Sequence, residues 1–475
     1  MTVKRLERLR VLLIGAPESS GFTGGGGREA ALAWRIDGSP SVSELYCPTS
    51  NPFIRLLPKW QGPDEPFADC ASLLVFCQKT GIDLVVIGPE RPLADGLADK
   101  LRAAGIRTFG PSEAAAQIEA SKIHAKWLME RAGVPTASYV RFNNFATAAV
   151  YARSPLLRLP CVIKADGLAD GKGAYVCWTL EQVLFALEVC LVQQKFGSAG
   201  AEVIIEDFLN PWPGIHAELS VTVFVNARGE YLMAPFTQDH KAVNDGNQGP
   251  NTGGMGVIGP VPWVTREMQV LVEHRIVKPV VNQLMVFGFA FTGILYFGLM
   301  WTPEGPKVVE INCRLGDPEG QVVLMLWPDE VDFAELLFAI TDADQQSIKG
   351  IEIPWKDGAA VCTVMTAAGY PGNYQKGAVI SGGVDLEPIS VGNEQTICFP
   401  AGMKFNDQGR LVVNGGRVLG VTTYRPRTGS LITTLEIAAQ HSIARASSIH
   451  WKDDFGVAHF RTDIGRNVPA QLPAL

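Results

Sequence analysis

No run of apolar residues near the start of the chain is long enough for a signal segment or a membrane span. The run at residues 11–15 (VLLIG) is too short for either, and residues 2–10 read as a charged extension before a first strand. None of the nine cysteines forms a C-x-x-C pair, and several sit in apolar runs as small hydrophobes do. Nine is also an odd number and the cysteines are scattered, so a reducing, cytoplasmic compartment is expected. Positive charge is in deficit too: 41 Lys and Arg against 48 Asp and Glu leave a net charge of -7. That balance gives no reason to expect nucleic acid or a membrane surface as a partner. Internal repeats and low-complexity tracts are absent as well. What remains is ordinary globular composition, 47% hydrophobic and 19% charged, in 475 residues. A chain of that length exceeds one core and is expected to form several domains.

Residues 11–15 have the form of a strand buried on both faces of a parallel sheet. Gly24, Gly25, Gly26 and Gly27 then precede Arg28, Glu29 and an alanine-rich helical stretch, so a tight backbone meets a helix N-terminus, where anions bind. The dinucleotide fingerprint cannot be laid out here, because residues 16–23 intervene and no G-x-G-x-x-G with its downstream acid follows. A nicotinamide-dependent oxidoreductase is therefore disfavoured. Residues 83–88 (DLVVIG) read as a second buried strand, with an amphipathic helix continuing to Ala104. Glu90 falls beyond the strand's carboxyl end, where ligands bind in such sheets. It is equally an acid favoured by a helix dipole.

Ser121 and Lys122 open a helix that Gly133 stops. Lys122 by itself reads as a surface lysine. A short strand then delivers Lys164 to a loop with Gly167, Gly171, Lys172 and Gly173, whose backbone N–H groups can cover phosphate oxygens. It is not a Walker A loop, since three residues rather than four separate its glycines and Gly173 follows the lysine. Residues 203–209 (VIIEDFL) form another strand, and residues 218–225 alternate polar and apolar as an antiparallel strand with one wet face does. Residues 238–256 read as a long glycine-rich loop. Asp239, His240 and Lys241 within it lack the nucleophile a hydrolase would need. Finally, residues 308–321 (VVEINCRLGDPEGQ) alternate so that Val309, Ile311, Cys313 and Leu315 face one way and Glu310, Asn312 and Arg314 the other. A carboxylate and an amide oxygen two residues apart suit a hard cation such as Mg2+. A half-exposed strand with a solvated polar face has the same period.

Taken in order, Ser121-Lys122, VIKADGLADGKG, VIIEDFL, DHK with GPNTGGMG, FTGILYFGLM and VVEINCRLGDPE resemble the phosphoribosylamine-glycine ligase (glycinamide ribonucleotide synthetase) family of the ATP-grasp superfamily. The likeness runs over nearly the whole chain, from GGREAALAW to NGGRVLGVT and RTDIG. It implies an α/β and α+β multidomain protein: a Rossmann-like pre-ATP-grasp domain over 1–120, an ATP-grasp fold over 121–345 with a lid at about 140–215, and a small α+β domain over 346–475. It also implies ATP with Mg2+ or Mn2+, small-molecule substrates (an amino acid and a phosphorylated amine), and a monomer or homodimer. By the same resemblance Lys122, Lys164, Gly167, Gly171, Lys172 and Gly173 would hold ATP phosphates, Glu206 and Leu209 the adenine edge, Glu218 the ribose, and Glu310 and Asn312 the metal. Arg314, Asp317, Asp239 and Lys241 would act at the acceptor, with Gly26, Gly27, Arg28, Glu90, Asn251, Thr252, Gly253 and Gly254 near the substrates.

Several positions depart from the family pattern. Gly25 and Ala30 stand where Asn and His are usual, Ala242, Asn244 and Asn247 interrupt the D-H-K-R-x-G-D-x-D motif, and Gly320 replaces a Thr. A relative with the same chemistry on another amine or amino acid is therefore the alternative expectation, and a nucleotide-binding regulator without catalysis a further one.

Overall fold

The computed structural model describes residues 8–473 except 16, 19–20, 23–24, 169–172 and 343–346. Gly171 and Lys172 of the expected lid, and half of the segment 16–23 before the glycines, thus lie outside the described residues. Strands β1 (Leu9–Ile14), β2 (Val42–Tyr46), β3 (Leu84–Ile87) and β4 (Thr108–Phe109) form a sheet in the order β2-β1-β3-β4. All three pairings are parallel. Both faces of β1 are covered: Leu12 and Ile14 enter one apolar core, Val11 and Leu13 another. This is why the run reads as continuously apolar. Helix α1 (Gly27–Asp37) follows the glycines as expected. The expected helix to Ala104 is instead two, Glu90–Ala94 and Leu97–Ala103, because Gly96 takes a left-handed backbone (φ 74) between them.

The helix Lys122–Ala132 has Ser121 as its N-cap and left-handed Gly133 as its stop. After it, strands β5 (Tyr139–Phe142), β6 (Cys161–Ala165), β7 (Ala174–Cys177) and β8 (Val203–Asp207) make an antiparallel sheet in the order β5-β8-β6-β7. This unit has its own core of Ala148, Ile163, Val183, Leu187 and Ile205.

Strands β9 (Glu218–Val225), β10 (Tyr231–Met233), β11 (Gln238–Asp239), β12 (Ala242–Asn244), β13 (Gln248–Asn251), β14 (Gly256–Gly259), β15 (Gly293–Thr302) and β16 (Gly305–Asn312) follow. A central antiparallel sheet runs β10-β9-β15-β16. The expected wet face of β9 is dry: Ser220 and Thr222 are buried. Ser220 can be so because its hydroxyl meets that of Thr237 at 2.6 Å. The expected loop 238–256 is largely paired chain. Strands β11 and β14 enter a six-stranded sheet with β17 (Gly358–Thr366), β18 (Ile389–Val391), β19 (Glu394–Pro400) and β20 (Arg417–Pro426), ordered β11-β14-β17-β20-β19-β18. Glycine permits this close approach: a Cβ on Gly256 would lie 2.7 Å from the Cys362 carbonyl. The sheet therefore joins residues 238–259 to the C-terminal segment.

The alternation expected for residues 308–321 is broken once. Glu310 pairs with Gly298 but Val308 with Leu299, so Val309 is the extra residue of a β-bulge. Val308 rather than Val309 consequently joins Ile311 and Cys313 in the core, while Val309 faces a cleft. The bulge precedes Glu310, and the register from Glu310 to Asn312 is intact.

Candidate active site

A cleft is lined by Glu218, Asp239, Lys241, Tyr296 and Val309. On its lid side, β6 carries Lys164, whose ammonium donates to the Val309 carbonyl (2.9 Å) and pairs with Glu206 (2.9 Å). The other Glu206 oxygen lies 3.1 Å from Lys126, so both oxygens expected at an adenine edge face lysines. Leu209, just beyond β8, is half-buried. Lys122 donates to the Gly167 carbonyl where the glycine-rich loop begins, and burial lowers its pKa. Gly167 has φ 116, and a Cβ there would lie 2.6 Å from Ala199. The loop closes where Ala165 N–H donates to the Gly173 carbonyl (2.9 Å).

At the cleft floor, Lys241 lies 3.6 Å from Glu310 and 3.8 Å from Glu218. Lys241 holds the Glu310 carboxyl at about 2, against the opposing effect of burial. Asp239 is buried with one oxygen unpartnered among the described residues. Burial and the nearby Glu319 push its pKa well up. Glu319 accepts a 2.6 Å hydrogen bond from Tyr296. Among the described residues no three His, Cys, Asp or Glu groups gather as a metal cluster. Glu310 and Asn312 nevertheless fit a hard cation: both offer oxygen, and the Glu310 side chain is 43% exposed toward solvent.

A second constellation lies beyond β16. Arg314 reaches Glu90 (3.1 Å) and Glu119 (2.9 Å), and Arg28 pairs with Glu29 (2.9 Å) and approaches Glu90 (3.5 Å). Burial pushes the Glu90 carboxyl up, but Arg314 and Arg28 outweigh it and hold it at about 2. Asp317 accepts from Gln321 (2.8 Å) and pairs with Arg417 of β20 (3.3 Å). Arg417 also donates to the Gly253 carbonyl, and the Gly253 N–H donates to the Tyr370 hydroxyl at 3.2 Å. Asn251 is exposed, whereas Thr252 is buried with its hydroxyl on the Lys241 carbonyl (2.8 Å). A Cβ on Gly26 would meet the Glu29 carboxylate at 2.1 Å and one on Gly27 the Gln321 amide at 2.7 Å, so those side-chain ends would have to shift. Gly254 has φ 114, and its Cβ would lie 2.8 Å from Asp239.

The three domain profiles of one family match in chain order. The phosphoribosylglycinamide synthetase N domain covers residues 22–119, its ATP-grasp (A) domain 120–320 and its C domain 360–467. The chain belongs to the phosphoribosylglycinamide synthetase family. A phosphoribosylamine–glycine ligase of Brucella melitensis is 40% identical over 96% of this chain and 97% of its own length. One from Mesorhizobium japonicum is 43% identical over 93% and 96%. The crystal structure of a Thermotoga maritima phosphoribosylamine–glycine ligase aligns with TM-score 0.74 at 28% identity, covering 96% of this chain and 100% of that one. The biotin carboxylase domain of Hydrogenobacter thermophilus 2-oxoglutarate carboxylase, solved with MgADP, shares the fold at TM-score 0.68 and 15% identity, over 94% and 91%. The synthetase family's ATP-grasp domain is a ligase fold that uses ATP and a divalent metal. No described helix is long and apolar enough to cross a membrane.

Lys126, Glu119, Glu319, Tyr296 and Arg417 were not anticipated in the sequence. Lys126 and Glu119 sit inside helices, and Tyr296 in an apolar strand, where periodicity marks no chemistry. The departures from the family pattern pack partly against the chain's own C-terminal segment. Arg461 donates to the Ala242 carbonyl (3.1 Å) and the Asn247 amide oxygen (2.9 Å), while Gly320 is buried beside Leu315.

Proposed function

We propose that this chain joins the carboxylate of glycine to the amine of 5-phosphoribosylamine, with ATP cleaved to ADP and phosphate, in purine synthesis. The observation that carries the reading is a convergence of lysines at Glu310: Lys164 bonds the carbonyl of Val309, the residue before it, and Lys241 lies 3.6 Å from its carboxylate. Lys122 and Lys164, with Gly167, Gly171, Lys172 and Gly173, hold the phosphates. Glu218 takes the ribose, and Leu209 with the adjoining backbone meets the adenine. Arg314, Asp317, Asp239 and Lys241 line the acceptor pocket, and Gly26, Gly27, Arg28, Glu90 and residues 251–254 approach the amine substrate. The two arginines beside Glu90 suit a phosphorylated ligand.

A glycine carboxylate oxygen attacks the γ-phosphorus as the bond to ADP breaks, giving an acyl phosphate. The amine then attacks the carbonyl carbon, the C–N bond forms and phosphate leaves. Lysine charge offsets the charge on the transferring group, and a glycine-rich lid keeps water from the acyl phosphate. Glu310 and Asn312 would hold Mg2+ or Mn2+, which neutralises phosphate charge. Unpaired cysteines suit a cytoplasmic enzyme.

The test is coupled ADP release with glycine and freshly generated phosphoribosylamine, beside a panel of other amino acids and amines. Turnover confined to the glycine pair is expected. Turnover with another pair alone sinks the substrate assignment and leaves the ligation chemistry standing.

A further inference from the structure

Lys126 is a second cation on the carboxylate that holds Lys164. The Lys126 ammonium lies 3.1 Å from Glu206 Oε1 and the Lys164 ammonium 2.9 Å from Oε2. All three side chains are nearly buried, at 3%, 11% and 5% exposure for Lys126, Lys164 and Glu206. One carboxylate between two ammoniums leaves the group with an excess positive charge. Such a charge out of water calls for an anion.

The two lysines are held differently. Lys126 also donates to the Thr136 hydroxyl and the Ala137 carbonyl, both at 2.9 Å. Two hydrogen bonds and the ion pair with Glu206 thus hold the Lys126 ammonium, and its side chain is 3% exposed. Lys164 stands at the end of β6, next to the glycine-rich loop and against the Val309 carbonyl.

We propose that Lys126 is a positioning residue: it keeps Glu206 paired so that Lys164 can turn to the phosphates of a nucleoside triphosphate. Without Lys126, a Lys164 that leaves for phosphate strands a buried carboxylate, and that cost is subtracted from binding. With Lys126 in place the carboxylate stays compensated. The inference rests on the reading of the cleft as an ATP site.

The experiment is titration calorimetry of the full chain with ATP and Mg2+. Lys126→Met is expected to weaken ATP binding about tenfold, the coupling typical of one charged network. Lys126→Arg, which keeps the charge, stays within about threefold of wild type. Lys126→Met combined with Glu206→Gln leaves no carboxylate to trap Lys164 and binds ATP better than Lys126→Met alone. A lysine that merely stabilises the fold would give a double variant no better than the single one, and that result overturns the proposal. So does wild-type affinity in Lys126→Met while wild type binds ATP. Wild type that does not bind ATP overturns the ATP-site reading itself and this inference with it. Should Lys126→Met fail to fold, Glu206→Gln and the double variant are compared. They are expected to bind ATP alike, and a clear loss in the double variant overturns the proposal.

Discussion

The Lys241 ammonium stands 3.6 Å from the Glu310 carboxylate, and it is the largest influence on that carboxylate's ionisation. With Lys241 present the Glu310 carboxyl is held at about 2, so it remains a charged carboxylate through neutral and mildly acid solution. Removing Lys241 takes away the largest lowering influence and leaves the smaller ones of Lys164, Arg314 and Lys122 against burial, so the pKa rises. Lys241→Met is therefore expected to move the acid limb of the kcat/KM profile to higher pH by about one unit or more. A profile measured in wild type and variant at saturating Mg2+ decides it, and an unmoved acid limb refutes the coupling.

Glu310→Ala removes the one carboxylate of the proposed Glu310 and Asn312 metal pair. Loss of an outer-shell partner typically costs metal sites about 10–100-fold, so loss of Glu310 itself is expected to cost more than that in turnover. ADP release at several Mg2+ concentrations measures it. Activity near wild type would remove the strand from the metal site.

These residues differ in how openly the sequence carries them. β1, α1 and the capped helix from Lys122 were legible because burial and capping are local: an apolar run, a glycine-rich turn, a Ser before and a Gly after. Glu310 and Asn312 were legible because a strand's alternation is local too. The bulge at Val309 was not, since it depends on the register with Leu299 and Gly298 on another strand. Nor was the dry face of β9, which depends on Thr237 folding back onto Ser220. Residues 238–256 looked like loop because glycine lacks a side chain to pack, yet that lack is what lets β14 lie against β17. Arg417 and Lys126 required tertiary contacts to be seen at all.

Glu90 links acid stability to the paired arginines. Its folded value of about 2 lies below the ordinary value of 4.5. A falling pH thus protonates the unfolded chain first, and the stabilisation from Glu90 is complete above about 4.5 and lost as the pH falls toward 2. Glu90→Gln is expected to cost about 2–4 kcal/mol at neutral pH, because Arg28 and Arg314 lose a shared partner. Between pH 6 and pH 3 the difference from wild type should narrow. Urea unfolding at those two pH values measures the gap, and a gap that widens contradicts the assignment.

Arg417 reaches the acceptor side from the C-terminal sheet, so it tests whether that sheet helps build the substrate site. Its guanidinium pairs with Asp317 and bonds the Gly253 carbonyl, while Tyr370 takes the Gly253 N–H. Arg417→Met leaves the half-buried Asp317 with Gln321 as its hydrogen-bond partner and removes the Arg417 bond to Gly253. The KM of an acceptor-side substrate is therefore expected to rise about tenfold, the scale of a charged hydrogen bond, while ATP affinity changes little because Arg417 bonds Gly253 and Asp317 and neither Lys122 nor Lys164. Steady-state kinetics with each substrate varied in turn separate the two. A rise confined to the KM for ATP would place Arg417's influence on the wrong side of the cleft, and the C-terminal sheet would then be a support for the nucleotide rather than a wall of the acceptor pocket.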